Sequence, residues 1–532
     1  MATEFSSSRR KRAAVVGAGP VGCLAAIMLA KRGWKVSLYE GRADLRLPSS
    51  KAAAQQRSIN LAISHRGIAA IHSIHPAAAE RFMETVIPMR GRMIHHLDGR
   101  LDSQLYDRDG QCINSVDRAL LNEDLLEEVS KTQNVELFFR HKVRSIDFDQ
   151  KKITVEDLSR GDERSFDFDL CVGADGSYST VRRQMMRVVR FACSEFHLWM
   201  DYQQEYIKHE YIELKVPAGR DNEGRPTFLL DPNHLHIWPR HSYMLIALPN
   251  KDKTFTCTLF APSAELDRLN SPEIFLSWFE SNFPDALSAL GEKNLIHDYT
   301  HNPRSPLICT RVSPYHYRDR GILLGDSAHS MVPFYGQGLN CGLEDVRVLK
   351  VLFDKEDVPS IIPETPHQFE DERLARALSR YSEERHKDLI AITELAMGNY
   401  VEMRHLVATP MYLFRKLLDG CLYSLSSRTM KPLSTMSELL THELYDEDEP
   451  TGWLPLYTMV TFRPDVSYDT VRRKALWQAT ILARLGYVGR SSPGTDDPIS
   501  SDLVYGHRGA TIENINKELN VYSSLDFIST LL

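Results

Sequence analysis

Apolar positions along the chain fall into three kinds of pattern. Short unbroken runs, Ala13-Ala14-Val15-Val16, Leu170-Cys171-Val172 and Gly321-Ile322-Leu323-Leu324, suit parallel strands covered on both faces. Helical spacing follows the first run, in Leu24, Ile27 and Met28 with Lys31 in register, up to Gly33 placed as a C-cap. It returns in the stripe Leu339, Leu343, Val346, Leu349 and Phe353. Lys35-Val36-Ser37-Leu38-Tyr39 reads as a second strand ending at Glu40, and Leu235-His236-Ile237-Trp238 as a strand of an antiparallel sheet. These elements predict an α/β chain with a parallel sheet and a separate antiparallel one.

The turn between the first strand and helix, Gly17-Ala18-Gly19-Pro20-Val21-Gly22, fits Gly-x-Gly-x-x-Gly. Gly17 permits the turn, Gly19 lets backbone approach a pyrophosphate, and Gly22 lets helix pack on strand. The helix start supplies N–H donors, and Glu40 would accept from a ribose. The plain alternative is a βα turn with no ligand. A single such fingerprint disfavours a second dinucleotide domain.

Phe168 to Gly176 and Gly321 to His329 read as strands ending in Gly/Asp turns, the second offering Asp326 to a ribityl hydroxyl. Pro333-Phe334-Tyr335-Gly336-Gln337-Gly338-Leu339-Asn340 opens a helix whose backbone donors would face a flavin pyrimidine edge and stabilise the reduced ring's anion. Taken singly, each is more often a plain strand-turn.

The eighteen uncharged residues from Ala13 to Ala30, behind Arg9-Arg10-Lys11-Arg12, imitate a signal anchor. The three glycines and Pro20 in their first half would break a spanning helix. Composition agrees with a soluble globular chain. Its 532 residues are 42% hydrophobic and 25% charged, enough for two to four units with buried cores. A net charge of −7 argues against a nucleic-acid surface. Among eight cysteines the closest pair is twenty-two positions apart, so neither a disulfide framework nor a metal site is supported. A reducing compartment is the simplest reading.

The order of fingerprint, Gly-Ala-Asp-Gly, Gly-Asp-Ser-Ala-His and Pro-x-x-Gly-Gln-Gly resembles the single-component aromatic hydroxylases that bind FAD. Within them the chain is most similar to the kynurenine 3-monooxygenases. The segments that carry this are Arg57 to Gly67, Pro88 to His95, Asn302 to Leu307, Asn399 to Arg404 and Leu454 to Phe462, within about residues 12 to 477. The resemblance implies NADPH- and O2-dependent hydroxylation of L-kynurenine through a flavin C4a-hydroperoxide, in tryptophan degradation and NAD biosynthesis, with no catalytic side chain of the protein's own.

It also implies site residues. Arg92 and Tyr106 would hold the substrate α-carboxylate with Asn399 and Tyr457, a guanidinium fork and a phenol suiting that anion. Glu402 and Met403 share a helix face with Asn399, at i+3 and i+4 from it. Phe334 and Gln337 would wall the ring. Flavin contacts would be Gly17, Gly19, Gly22, Glu40, Arg57, Arg118, Val143, Asp326, Gly338, Leu339 and Asn340. From sequence alone Arg92 would be a solvated surface arginine, and Tyr106 and Tyr457 half-buried core tyrosines. His329 would make a structural hydrogen bond. Two alternatives remain at this point: a related hydroxylase of another aromatic acid, and a non-catalytic Rossmann-fold binding protein.

The expected layout is a Rossmann-type FAD-binding domain (12–75, 106–184, 306–355) interleaved with an antiparallel-sheet substrate domain (76–105, 185–305). A mostly helical C-terminal region (375–485) and a polar tail (486–532) follow. Eukaryotic family members usually sit on the outer mitochondrial membrane through a hydrophobic C-terminal segment. Arg490 to Leu532 is polar, so the sequence itself reads as soluble and cytosolic, with any membrane contact left to a weaker device such as an interfacial helix.

Overall fold

The computed structural model of the chain describes residues 8–49, 60–191, 200–363, 370–426, 445 and 450–484. Arg57 and the whole of the expected 486–532 tail lie outside the described residues.

Arg12–Val16 forms the parallel strand its apolar run predicts, with Val15 between Leu38 of Lys35–Glu40 and Val172 of Leu170–Gly173. Gly321–Leu323 adds on the far side of Leu170–Gly173, and Val135–Phe139 beyond Lys35–Glu40. His316–Tyr317 closes one edge antiparallel, giving six strands. The helix Pro20–Lys31 crosses this sheet with Pro20 in its first turn, and ends where Gly33, at φ 88°, turns the chain toward Lys35.

A seven-stranded sheet is built from Gly91–His95, Leu101–Leu105, Asp201–Val216, His234–Arg240, Tyr243–Pro249, Phe255–Pro262 and Ser305–Ser313. It is antiparallel except where His234–Arg240 runs beside Gly91–His95. The strand Ser305–Ser313 pairs along Asp201–Val216, so the chain returns to the parallel sheet after residue 313 and not at 306. Ring-rich helices such as Pro272–Asn282 bury Phe275 and Phe279 with Trp238 and Phe255 in a second apolar core under this sheet.

The helices Glu372–Arg404, Pro410–Ser426, Leu456–Phe462 and Tyr468–Arg484 make up the described C-terminal part. None of the described helices is long and apolar enough to cross a membrane. The basic run that opens the chain is folded in. Arg9 grips Asp169 with two bonds of 2.7 Å, and Lys11, 1% exposed, is paired with Asp371 and lies over the Trp34 ring.

Candidate active site

Three turns converge at the carboxyl ends of the central strands. Val21, in the first turn of Pro20–Lys31, lies 3.1 Å from where a Cβ on Gly325 would stand and 2.9 Å from one on Gly342. The glycine fingerprint, the Gly325–Ser327 turn and the helix Gly338–Lys355 are therefore held against one another. Gly17 takes φ +99°, and a Cβ there would sit 2.4 Å from the Ala174 carbonyl oxygen; one on Gly22 would sit 1.9 Å from that of Gly17. Gly19 differs, with nothing within 4 Å of its Cβ position. Its backbone faces open space at a helix start that no side chain caps.

The second helix start has the same character. Gly338–Lys355 begins behind Gln337 with no side-chain cap and no acidic residue in its first turn, after Gly336 at φ +64°. Asp326 is exposed in a stretch otherwise buried from Gly321 to Ser330. Glu40 accepts from the Ala18 N–H at 3.0 Å and pairs with Arg42. Burial alone would raise its pKa, but the Arg42 and Ala18 donors bring the carboxyl below its ordinary range. Two uncapped helix N-termini, an open glycine and two acids suit a dinucleotide bearing a pyrophosphate and hydroxyls, so these residues fit FAD.

The remaining predicted cofactor residues vary. Val143 is buried on His141–Asp147, in the three-stranded sheet beside the end of Lys35–Glu40. Arg118 opens the helix Arg118–Lys131 and faces Tyr211 and Glu213 of the large sheet. The Asn340 side chain is occupied: it accepts from the Ser64 N–H and donates to the Ala62 and Gly336 carbonyls. Any cofactor contact there would be through its backbone. Leu339, expected in the core stripe, is only half-buried, and the buried apolar stripe starts at Leu343.

The predicted substrate residues come together. Arg92, on Gly91–His95, is 4% exposed, so it is no solvated surface arginine. Its Nη1 donates to Glu402 at 2.9 Å and its Nη2 to Asn399 at 3.3 Å. The guanidinium lies 5.0 Å from the Tyr457 ring and 5.7 Å from that of Tyr106. Tyr106 and Tyr457 stack at 4.6 Å and 7°. Asn399 also donates to the Phe334 carbonyl at 2.7 Å and to Met403 Sδ at 3.2 Å, and Gln337 accepts from the Tyr468 hydroxyl at 3.1 Å. Burial works against the charge of Arg92, yet Tyr412, Glu402 and Tyr457 around it raise its pKa overall. Burial pushes the Tyr106 phenol well up, leaving a neutral donor. The Tyr106 hydroxyl and Arg92 Nε are buried without a well-directed hydrogen bond.

Several residues join that sequence reasoning missed. Tyr335 stacks on Tyr457 at 5.7 Å, Tyr400 on Phe334 at 3.7 Å, and Tyr412 donates to Glu402 at 3.0 Å. Behind the turns, Arg385 pairs at 2.9 Å with both Glu344 and Asp345, Arg66 with Glu344 at 2.9 Å, and all four side chains are fully buried. Asp345 also accepts from the Gly325 N–H and bonds His329, the structural hydrogen bond expected of that histidine. His329, Cys341 and Asp345 bring ligand atoms within 4.8 Å, but the cation among them is the guanidinium of Arg385, 3.3 Å from Cys341 Sγ. Adjacent acids inside a leucine and valine stripe were the available signal for this network.

A family profile described as an FAD binding domain matches residues 10–204 and 266–354. The kynurenine 3-monooxygenase of Cryptococcus neoformans var. neoformans serotype D (strain B-3501A) is 43% identical over 507 residues, covering 91% of this chain and 96% of its own. That of Saccharomyces cerevisiae is 42% identical over 479 residues, covering 88% and 93%. Among solved structures, tetrameric 2-methyl-3-hydroxypyridine-5-carboxylic acid oxygenase superposes with a TM-score of 0.56 at 19% identity, covering 76% of this chain and 95% of that one. Pseudomonas aeruginosa PqsL in complex with 2-aminobenzoylacetate gives 0.56 at 17%, covering 75% and 97%. The structural likenesses establish the fold alone.

Proposed function

Because the chain belongs to the kynurenine 3-monooxygenase family of FAD-dependent monooxygenases, we propose that it converts L-kynurenine, NADPH, O2 and a proton to 3-hydroxykynurenine, NADP and water. Bound FAD supplies the redox chemistry, accepting electrons from NADPH and activating O2 toward an electron-rich ring. The fingerprint glycines and the start of Pro20–Lys31 would hold its pyrophosphate, Glu40 and Asp326 its hydroxyls, and the start of Gly338–Lys355 its pyrimidine edge.

The protein's own part is orientation and exclusion of water. What carries the substrate reading is Arg92, buried with its guanidinium beside the Tyr106 phenol, the Nε and the hydroxyl both lacking a well-directed hydrogen bond. A carboxylate entering there would gain a charged and a neutral donor together. Glu402, on the other side of the guanidinium, would face the substrate's α-ammonium, and Asn399 would keep the fork in place. Phe334, stacked on Tyr400, offers an apolar wall to the aniline ring.

Incubating the purified flavoprotein with NADPH and L-kynurenine tests cofactor, substrate and reaction at once. The expected result is 3-hydroxykynurenine by mass spectrometry, with NADPH oxidation accelerated by the substrate. Unchanged NADPH use with no hydroxylated product would overturn the assignment, and turnover of another aromatic acid from a panel would redirect it.

A further inference from the structure

The turn 333–340 is held from behind by Tyr468, which opens the helix Tyr468–Arg484 and is fully buried. Its hydroxyl donates to Gln337 Oε1 at 3.1 Å, across 131 positions of chain. Burial and then Glu344 push the phenol well up against the opposing charge of Arg66, so it stays a neutral donor. The bond fixes which way the Gln337 amide points. With Oε1 toward the phenol, Nε2 faces the Tyr335 carbonyl at 3.5 Å, too long to hold the amide firmly by itself. A flipped amide would deprive the buried phenol proton of this acceptor.

Gln337 stands between two parts of the site. Phe334, three positions before it, stacks on Tyr400, and the helix Gly338–Lys355 starts directly after it. The Gln337 carbonyl accepts from the Cys341 N–H at 2.7 Å, so its backbone is the first link of that helix. Tyr468 is itself well anchored. The Arg66 guanidinium lies 4.1 Å from the centroid of its ring and donates to Glu344 and to the carbonyls of Met459, Val460 and Val466. One guanidinium therefore ties together the helix that carries Tyr457, the helix Gly338–Lys355 and the Tyr468 ring. Tyr468 also lies beyond residues 10–204 and 266–354, which the FAD binding profile matches.

We propose that Tyr468 is a positioning residue: through Gln337 it sets the placement of the Phe334 wall relative to the start of Gly338–Lys355. The turn of the FAD-binding part is then fixed by the C-terminal part. The effect on the flavin needs bound FAD alone, while the effect on hydroxylation rests on the function proposed above.

The test is Tyr468→Phe in the full-length holoenzyme, which keeps the ring beside Arg66 and removes only the hydroxyl. In a substrate-free reductive titration against a reference dye, the ratio of reduced flavin to reduced dye is expected to fall about threefold, because the donors at the helix start are no longer held in place. With NADPH and L-kynurenine, hydroxylated product per NADPH oxidised is expected to fall about threefold. Hydrogen peroxide, formed from NADPH, O2 and a proton, makes up the difference. Flavin content and the KM for L-kynurenine should match the parent's. Gln337→Leu is expected to show the same two changes, and the double variant no more than Gln337→Leu alone.

Tyr468→Phe equal to the parent in both readouts would overturn the proposal, as would losses that multiply in the double variant. A variant that loses flavin or raises the KM would show that Tyr468 holds the fold and not the turn, also against it. A parent that makes no 3-hydroxykynurenine would instead overturn the proposed function, and the reference-dye ratio would still decide on Tyr468.

Discussion

The proposed flavin cradle and the Arg92 cluster lie in one molecule and are made of different material. The cradle is backbone: Gly17, Gly19 and Gly22 within six consecutive positions, plus two helix starts that no side chain caps. The cluster is side chains brought from afar. Arg92 and Asn399 are 307 positions apart, and Tyr106 meets Tyr457 from another element again. A site of backbone donors is intolerant of any added atom, while a site of side chains fails in proportion to the group removed.

The largest effect that would sharpen this contrast is at Gly22. A methyl there would stand 1.9 Å from the Gly17 carbonyl oxygen, so backbone must move. Gly22→Ala is expected to lose flavin absorbance per protein by about tenfold or more and to lower the apoprotein's melting temperature. Gly19→Ala is the control: with nothing within 4 Å it should leave the apoprotein as stable as the parent and still weaken FAD binding, because the lost space belongs to the ligand. Full FAD affinity in Gly19→Ala would break the view that bare backbone meets the pyrophosphate.

Next in size is Arg92→Met. Losing the proposed charge-assisted partner of the substrate carboxylate should raise the KM for L-kynurenine roughly 10- to 100-fold, worth about 1.5–3 kcal/mol, with flavin content intact. Unaltered affinity would remove Arg92 from the site. Loss of flavin along with affinity would show that cradle and cluster are not separable.

The same contrast explains what could be read from the sequence. Everything in the cradle that depends on local order was legible: the apolar run Arg12–Val16, the turn, the helix start and Glu40 at the end of the second strand. The cluster residues entered through resemblance to a family, since nothing in the local pattern distinguishes Tyr106 or Tyr457 from a core tyrosine. Tyr335, Tyr400 and Tyr412 escaped for that reason; their roles come from stacking and from Glu402 across chain distance. Glu344 and Asp345 were more visible, as charges between Leu343 and Val346 that only buried partners such as Arg385 could satisfy. That the strand Leu101–Leu105 turns Gln104 inward and its two leucines outward could not be read from alternation, because a period of two says which residues share a face and not which face is covered.

The smallest effect concerns charge beside Arg92. Lys416, on the inner side of Pro410–Ser426, has its pKa brought down to about 8, first by burial and then by the like charge of Arg92, with Glu402 and Asp102 opposing. The sign for stability follows from proton counting. Between pH about 8 and the ordinary lysine range near 10.4 the unfolded chain holds a proton that the folded chain has released, so this group makes stability rise with pH across that window. Substrate binding runs the other way. A carboxylate arriving at Arg92 favours the charged form of Lys416, so binding takes up protons and affinity falls as pH climbs through about 8. A coupling of half a pKa unit corresponds to about a threefold loss of affinity across the transition. Titrating the holoenzyme with L-kynurenine at stepped pH should show that limb in the parent and a flat profile in Lys416→Met. If the variant keeps the parent's limb, the titrating group lies elsewhere, and the cluster's electrostatics end at Arg92 and Glu402.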